Sequence, residues 1–349
     1  MLIIIIGIAF VLAAAVPVLL AIIAHNKAFG CRAESPKHSS RLRYGDVEGY
    51  PRRLTHFYSG HNKLSAYIYG ESNNKGLVVI VHGLGGGAEG YFPETMFFVD
   101  NGWRVFAFDM TGSHNSEGKG TKGLPQSAVD LDAALRYIAD QNWNLPIMLY
   151  GHSWGGFAVT SILDKGHSIN AVVSLAAFAE PLEMLMEATR RMGVIQYIAR
   201  PYLWVYLRML FGQNATLSAI NGINSVTTPV LVLHGTADDI VAYDGASITA
   251  RRQSITNPNA VFVTHDLPHN SGHINLLRDA ADVRYVDELN VAWKEKWKQH
   301  NGNIPEDIEA ELYAPFRERV SALDPDVMNK INSFFESNLN DGLNQNCKA

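Results

Sequence analysis

The tract Tyr150-Gly-His-Ser153-Trp-Gly-Gly156 sets one serine among glycines, directly after an aliphatic run and directly before a stretch able to form a helix. Such a G-x-S-x-G tract permits a sharp, strained turn that lifts a hydroxyl above the edge of a sheet. A serine hydroxyl is a weak nucleophile at neutral pH unless a base takes its proton and an acid holds that base in one tautomer. Both types of partner occur downstream. Leu233-His-Gly-Thr-Ala-Asp238-Asp-Ile-Val241 offers a carboxylate just past a strand, and Ser271-Gly-His273 offers an imidazole after the next one. Asp239 competes with Asp238 as the acid, and His265 and His269 compete with His273 as the base. The chemistry such a set performs is acyl transfer. No histidine pair at metal-ligand spacing falls on a stretch read as a helix, so no metal and no cofactor are expected.

These residues need elements to hold them. Leu54 to Tyr58 and Leu64 to Tyr69 flank Ser-Gly-His-Asn, which predicts a hairpin. Beyond it, short aliphatic runs at Leu77–Val81, Arg104–Phe108, Ile147–Tyr150, Ala171–Leu175, Val230–Leu233 and Val261–Thr264 alternate with helical stretches. That alternation predicts a doubly wound α/β fold whose mostly parallel sheet is buried on both faces. Ala128–Ala139 has apolar residues at helical spacing, and Phe157–Leu163 continues from the glycine-rich turn. Residues 177–227 hold only apolar helical segments and are expected to form either a lid over the sheet or a second small domain; residues 281–320 read as a charged helical appendage. A last helix is expected after Asp324 as N-cap and Pro325 in the first turn, with Val327, Met328, Ile331, Phe334 and Phe335 on one face.

The order Ser, Asp, His, each just past a strand, resembles the α/β-hydrolases from about Leu54 to the end of the chain. The resemblance is nearest to serine aminopeptidase-like and prolyl-oligopeptidase-like bacterial hydrolases with a helical cap. It implies Ser153 as nucleophile, and Asp238, between Gly235 and Val241, as acid. His273, after Gly272 and before Ile274, Leu276 and Leu277, is implied as base. Val81-His82-Gly83-Leu84-Gly-Gly-Gly87 is similar to that family's His-Gly turn, which implies that the Leu84 and Trp154 amides form the oxyanion hole. Asp109-Met-Thr-Gly112-Ser-His114-Asn-Ser116 resembles a structural loop of the family, with His114 where a glycine is usual.

The front of the chain is different in kind. Met1–Ala24 contains no Asp, Glu, Lys or Arg. At 1.5 Å per residue it reaches roughly 36 Å, enough to cross a hydrocarbon layer of about 30 Å. With no basic residue before the apolar run, an uncleaved anchor is expected rather than a removed signal. Lys27, Arg32, Lys37, Arg41 and Arg43 follow it, which predicts a cytoplasmic catalytic domain. Residues 25–50 then read as a polar juxtamembrane linker, and residues 51–349 as the catalytic domain.

Composition narrows the remaining choices. Of 349 residues 47% are hydrophobic and 18% charged, an ordinary globular balance. Lys plus Arg number 29 against 34 Asp plus Glu, a net of −5, which offers nothing to nucleic acid. Cys31 and Cys347 are too few for a disulfide framework. Gly83-Leu-Gly85-Gly-Gly-Ala88 with Asp109 also fits a dinucleotide fingerprint. Against that reading, Pro93 is expected to spoil the required helix and a hairpin precedes the strand. A non-catalytic binding scaffold would leave Ser153, Asp238 and His273 without work. The expected function is therefore a membrane-anchored serine hydrolase acting on carboxylic esters or lipid-like acyl substrates, with a peptidase acting on short peptides as the alternative.

Overall fold

The computed structural model describes Leu19, residues 21–190, Gly193 and residues 195–339. Eight strands form one sheet in the order β1-β2-β4-β3-β5-β6-β7-β8. β1 (Arg52–Ser59) and β2 (Asn62–Tyr69) make the antiparallel hairpin, and β2 pairs antiparallel with β4 (Arg104–Phe108). From β4 onward the pairing is parallel, through β3 (Leu77–Val81), β5 (Ile147–His152), β6 (Ala171–Leu175), β7 (Val230–Gly235) and β8 (Ala260–His265). β3, β6 and β7 are buried at every position, because helices cover both faces and every side chain must be apolar or internally bonded.

Residues 21–29 form a helix, α1. The other helices are α2 (Phe92–Asp100), α3 (Gln126–Asp140), α4 (Trp154–Ser161), α5 (Pro181–Ala188), α6 (Ile195–Phe211), α7 (Ala219–Asn224), α8 (Ala280–Gln299), α9 (Glu306–Tyr313), α10 (Arg317–Ser321) and α11 (Pro325–Ser337). One core layer joins Leu131 and Leu135 of α3 and Phe157 of α4 to Val79, Phe106 and Leu149 of the sheet. The opposite layer joins Phe98 of α2 and Ile331 and Phe335 of α11 to Val78, Val105 and Tyr150. Asp324 caps α11 by accepting from the Asp326 and Val327 amides at 2.9 and 3.2 Å.

Pro93 does not spoil its helix. It stands in the first turn of α2, where a proline lacks only an N–H that would be unsatisfied anyway, so the expectation drawn from it fails. The stretch read as a linker is tied to the domain. Phe29 is buried in the core, Ala33 bridges to Ser113, and Arg32 donates to the carbonyls of His114, Ser116 and Gly118 at 2.7–2.8 Å.

Between β6 and β7 the chain runs through α5, α6 and α7. Leu207 and Phe211 of α6 pack against Leu182 and Leu185 of α5, while Tyr197, Ile198, Trp204, Val205 and Met209 of α6 remain exposed. α1 lies against the same helix: the His25 ring meets Tyr206 edge-on, and Tyr206 Oη donates to Asn26 Oδ1 at 3.2 Å. Among the described residues no helix is long and apolar enough to cross a membrane. The span expected over Met1–Ala24 lies, apart from Leu19 and residues 21–24, outside them.

Candidate active site

Ser153 occupies the single residue between β5 and α4, with φ 56° and ψ −112°. This is a left-handed backbone that non-glycine residues rarely adopt, and strain of this kind persists only where neighbours enforce it. They do so here. The Ser153 amide donates to the Leu175 carbonyl at 2.7 Å, and the Ser153 carbonyl accepts from the Phe157 amide at 3.0 Å. The turn closes because Gly155 packs where any side chain would run into the Val81 carbonyl.

The loops after β7 and β8 bring the other two groups to the serine. His273 Nε2 lies 2.9 Å from Ser153 Oγ, and His273 Nδ1 lies 2.8 Å from Asp238 Oδ2. A carboxylate accepts only, so Nδ1 carries the proton and Nε2 presents a lone pair to the serine hydroxyl. Asp238, not Asp239, faces the imidazole, and neither His265 nor His269 bonds to Ser153 or Asp238. The Asp238 carboxylate is buried and well anchored: Oδ1 accepts from the Ile240 and Val241 amides at 2.9 and 2.8 Å, and His234 Nε2 lies 3.1 Å from Oδ2. Burial alone would raise this carboxyl. The hydrogen bonds from His234 and His273 win, holding it well below the usual carboxylate range.

Leu84 and Trp154 line the same cavity as Ser153 and His273. Neither amide donates to another described residue, which leaves both open to an incoming acceptor. Trp154 is the first residue of α4, so its amide also stands at the positive end of a helix.

Three hydrogen bonds escape the motif reading. Tyr91 Oη accepts from the Gly83 amide at 3.0 Å and lies 2.7 Å from His152 Nδ1, while His152 Nε2 lies 3.0 Å from the His273 carbonyl. The carbonyl accepts, so Nε2 donates and Nδ1 receives the Tyr91 proton. One relay thus joins the glycine turn beside Leu84 to the backbone of His273. Burial pushes the His152 imidazole down to about 3, with the like charge of His273 helping, which keeps the relay neutral. The sequence signalled His152 only as filler of the serine motif, and nothing in it pointed to Tyr91.

Asp109 and His82 are spent on structure. Asp109 accepts from Tyr67 Oη and from the Ala88 and Asn115 amides, so it has no free face for a ribose. His82 Nδ1 donates to the Gly83 carbonyl at 2.7 Å, and its Nε2 accepts from the Met110 amide at 2.9 Å. Among the described residues no three His, Cys, Asp or Glu side chains gather at a spacing that would hold a metal ion.

A family model described as serine aminopeptidase, S33 (Hydrolase_4), matches residues 72–214. The chain is 24% identical over 175 residues to the lysophosphatidylserine lipase ABHD12 of Danio rerio, covering 48% of this chain and 44% of that one. It thus spans less than half the length of that relative. It is 27% identical over 270 residues to the uncharacterized protein YfhR of Salmonella typhi, covering 73% and 83% of the two chains. Among solved structures, the Pyrococcus furiosus esterase Pf2001 superposes with a TM-score of 0.52 at 19% identity, covering 77% of this chain and 96% of that one. Est1E of Butyrivibrio proteoclasticus, solved with ferulic acid bound, gives a TM-score of 0.50 at 21% identity, covering 67% and 95%. At these identities the likeness to solved structures speaks for the fold.

Proposed function

We propose that this chain, which belongs to the α/β-hydrolase superfamily and is a serine hydrolase, cleaves carboxylic esters or lipid-like acyl substrates through Ser153, His273 and Asp238. The observation that carries the assignment is the continuous pair of hydrogen bonds from Ser153 Oγ through His273 to Asp238 Oδ2, 2.9 and 2.8 Å long. Ser153 Oγ attacks the acyl carbon as its proton passes to His273 Nε2. Asp238 holds the imidazole in the required tautomer and steadies the imidazolium that forms. The amides of Leu84 and Trp154 take the negative charge that develops on the carbonyl oxygen. His273 then returns the proton to the departing alkoxide, leaving an acyl-enzyme. Water, activated by the same imidazole, releases the acid and restores Ser153.

An ester or lipid is favoured over a peptide because the cavity walls near Ser153 include Phe178, Met184, Ile240 and Leu276, and because the chain begins with an uncharged run. The peptidase alternative draws on the family description, serine aminopeptidase. The same reading makes Met1–Ala24 a membrane anchor, with the catalytic domain on the cytoplasmic side.

A fluorophosphonate probe tests the nucleophile. The wild-type protein is expected to label, and Ser153→Ala is expected to lose both labelling and hydrolysis, by about 10⁴-fold or more in kcat. A well-folded wild type that does not label refutes the assignment. Comparing p-nitrophenyl esters with aminoacyl and dipeptidyl amides orders the substrates, and higher kcat/KM on the amides would select the peptidase reading.

A further inference from the structure

The cavity beside Ser153 encloses about 520 Å³, and its walls are of two kinds. Besides the apolar residues named above, it is lined by Arg41, Glu94, Tyr150 and Arg278, none of which the acyl transfer employs. Glu94 and Arg278 are each 3% exposed and Tyr150 is 0% exposed. Glu94 Oε2 and Tyr150 Oη have no hydrogen-bond partner among the described residues. Arg278 Nη1 donates to the Ala322 carbonyl at 2.7 Å and Arg41 Nη1 to the Gly90 carbonyl at 3.2 Å, so each guanidinium keeps further N–H groups to give.

Among the described residues no salt bridge joins Glu94 to either arginine, although their charges act on one another. Burial brings the Arg278 guanidinium down to about 9, with the like charge of Arg41 pushing the same way and Glu94 opposing. Burying charges without pairing them is costly, and a fold that needed only packing here could place apolar residues. Unpaired groups of both signs facing one cavity are instead suited to a ligand that supplies the missing partners. Two guanidiniums against one carboxylate leave a single positive charge, and the Tyr150 hydroxyl adds one more donor. The complement is a group with one negative charge, flanked by a donor for Glu94.

We propose that Arg41, Glu94, Tyr150 and Arg278 form a subsite for a singly charged anion, a carboxylate or phosphodiester, borne by the acyl substrate. The assignment rests on the hydrolase reading. It makes the preferred substrate amphiphilic, with a hydrocarbon part against Phe178 and Met184 and an anionic part held by the arginines.

Two matched pairs of esters test it and locate the anion relative to the scissile bond. In the first pair, p-nitrophenyl hexanoate is compared with the mono-p-nitrophenyl ester of adipic acid, which carries a carboxylate on the acyl side. In the second, 1-hexanoylglycerol is compared with its 3-(methyl phosphate) diester, which carries a single negative charge on the alcohol side. In at least one pair the charged member is expected to show kcat/KM about tenfold or more above its neutral partner, as a charge-assisted hydrogen bond can supply. Because the readout is a ratio, it is insensitive to the fraction of folded enzyme. Arg41→Gln is expected to lower that ratio about tenfold and Glu94→Gln to raise it, opposite signs that a general loss of structure cannot produce. Ratios at or below one in both pairs, or a preference unmoved by Arg41→Gln, overturn the subsite alone. Failure of all four esters together with absent fluorophosphonate labelling overturns the hydrolase reading first, and the subsite with it.

Discussion

Ionisation at single residues sets how the protein responds to acid. Burial holds the His82 imidazole down at about 4 and that of His152 at about 3, whereas in an unfolded chain each titrates near ~6.5. Between these values the unfolded chain binds protons that the native chain refuses, so this contribution to stability is intact above about pH 6.5 and is lost as pH falls toward the folded values. The lowered Asp238 carboxyl acts in the same sense further down, present above ~3.9 and lost below it. His82, fully buried, accounts for about 2 kcal/mol at about pH 4.5. The urea midpoint is therefore expected to fall between pH 7 and pH 4.5, and a flat midpoint would contradict the burial argument. Activity gives a second residue-scale prediction. Tyr91→Phe removes the proton that His152 Nδ1 receives and the oxygen that the Gly83 amide reaches, loosening the glycine turn and His273 together. kcat is expected to drop about threefold to tenfold with KM little changed; a change in KM alone would mean that Tyr91 serves substrate binding instead.

At the scale of elements, Gly155→Ala drives a methyl group into the Val81 carbonyl where α4 meets β3. A cost of about 1–3 kcal/mol follows if the helix shifts to make room, read as a lower Tm and weaker labelling of Ser153. Asp324→Ala removes the side-chain N-cap of α11 while keeping the bond from its amide to the Leu277 carbonyl, and is expected to cost about 1 kcal/mol in urea unfolding with kcat unaltered. The strands were readable because a parallel sheet covered on both faces demands uninterrupted aliphatic runs; β3, β4 and β6 coincide with the runs seen in the sequence. The Ser153 turn was readable because its glycines are local. The chain from Arg41 to Arg278 was not: Arg41, Glu94, Tyr150 and Arg278 come from four separate segments, and their common cavity exists only once α2 packs on the sheet. Pro93 misled for a related reason, since one residue decides whether a proline falls in a helix's first turn or in its interior.

For the whole molecule, α1, which follows the uncharged leader in the sequence, meets α6 through His25 and Asn26 on one side and Tyr206 on the other. If Met1–Ala24 is a bilayer anchor, full-length protein stays with membranes after alkaline carbonate washing and a chain lacking residues 1–20 is released with its ester hydrolysis retained. Release of the full-length protein would remove the anchor from the reading. The contact between α1 and α6 also has a mechanical meaning. α6 leans on α5, whose Met184 lines the cavity beside Ser153, so α1 is fastened to the roof rather than to the floor of that cavity. On the anchor reading, a pull or tilt transmitted through α1 would arrive first at this side of the cavity, and the state of the surrounding lipid would become a throttle on entry.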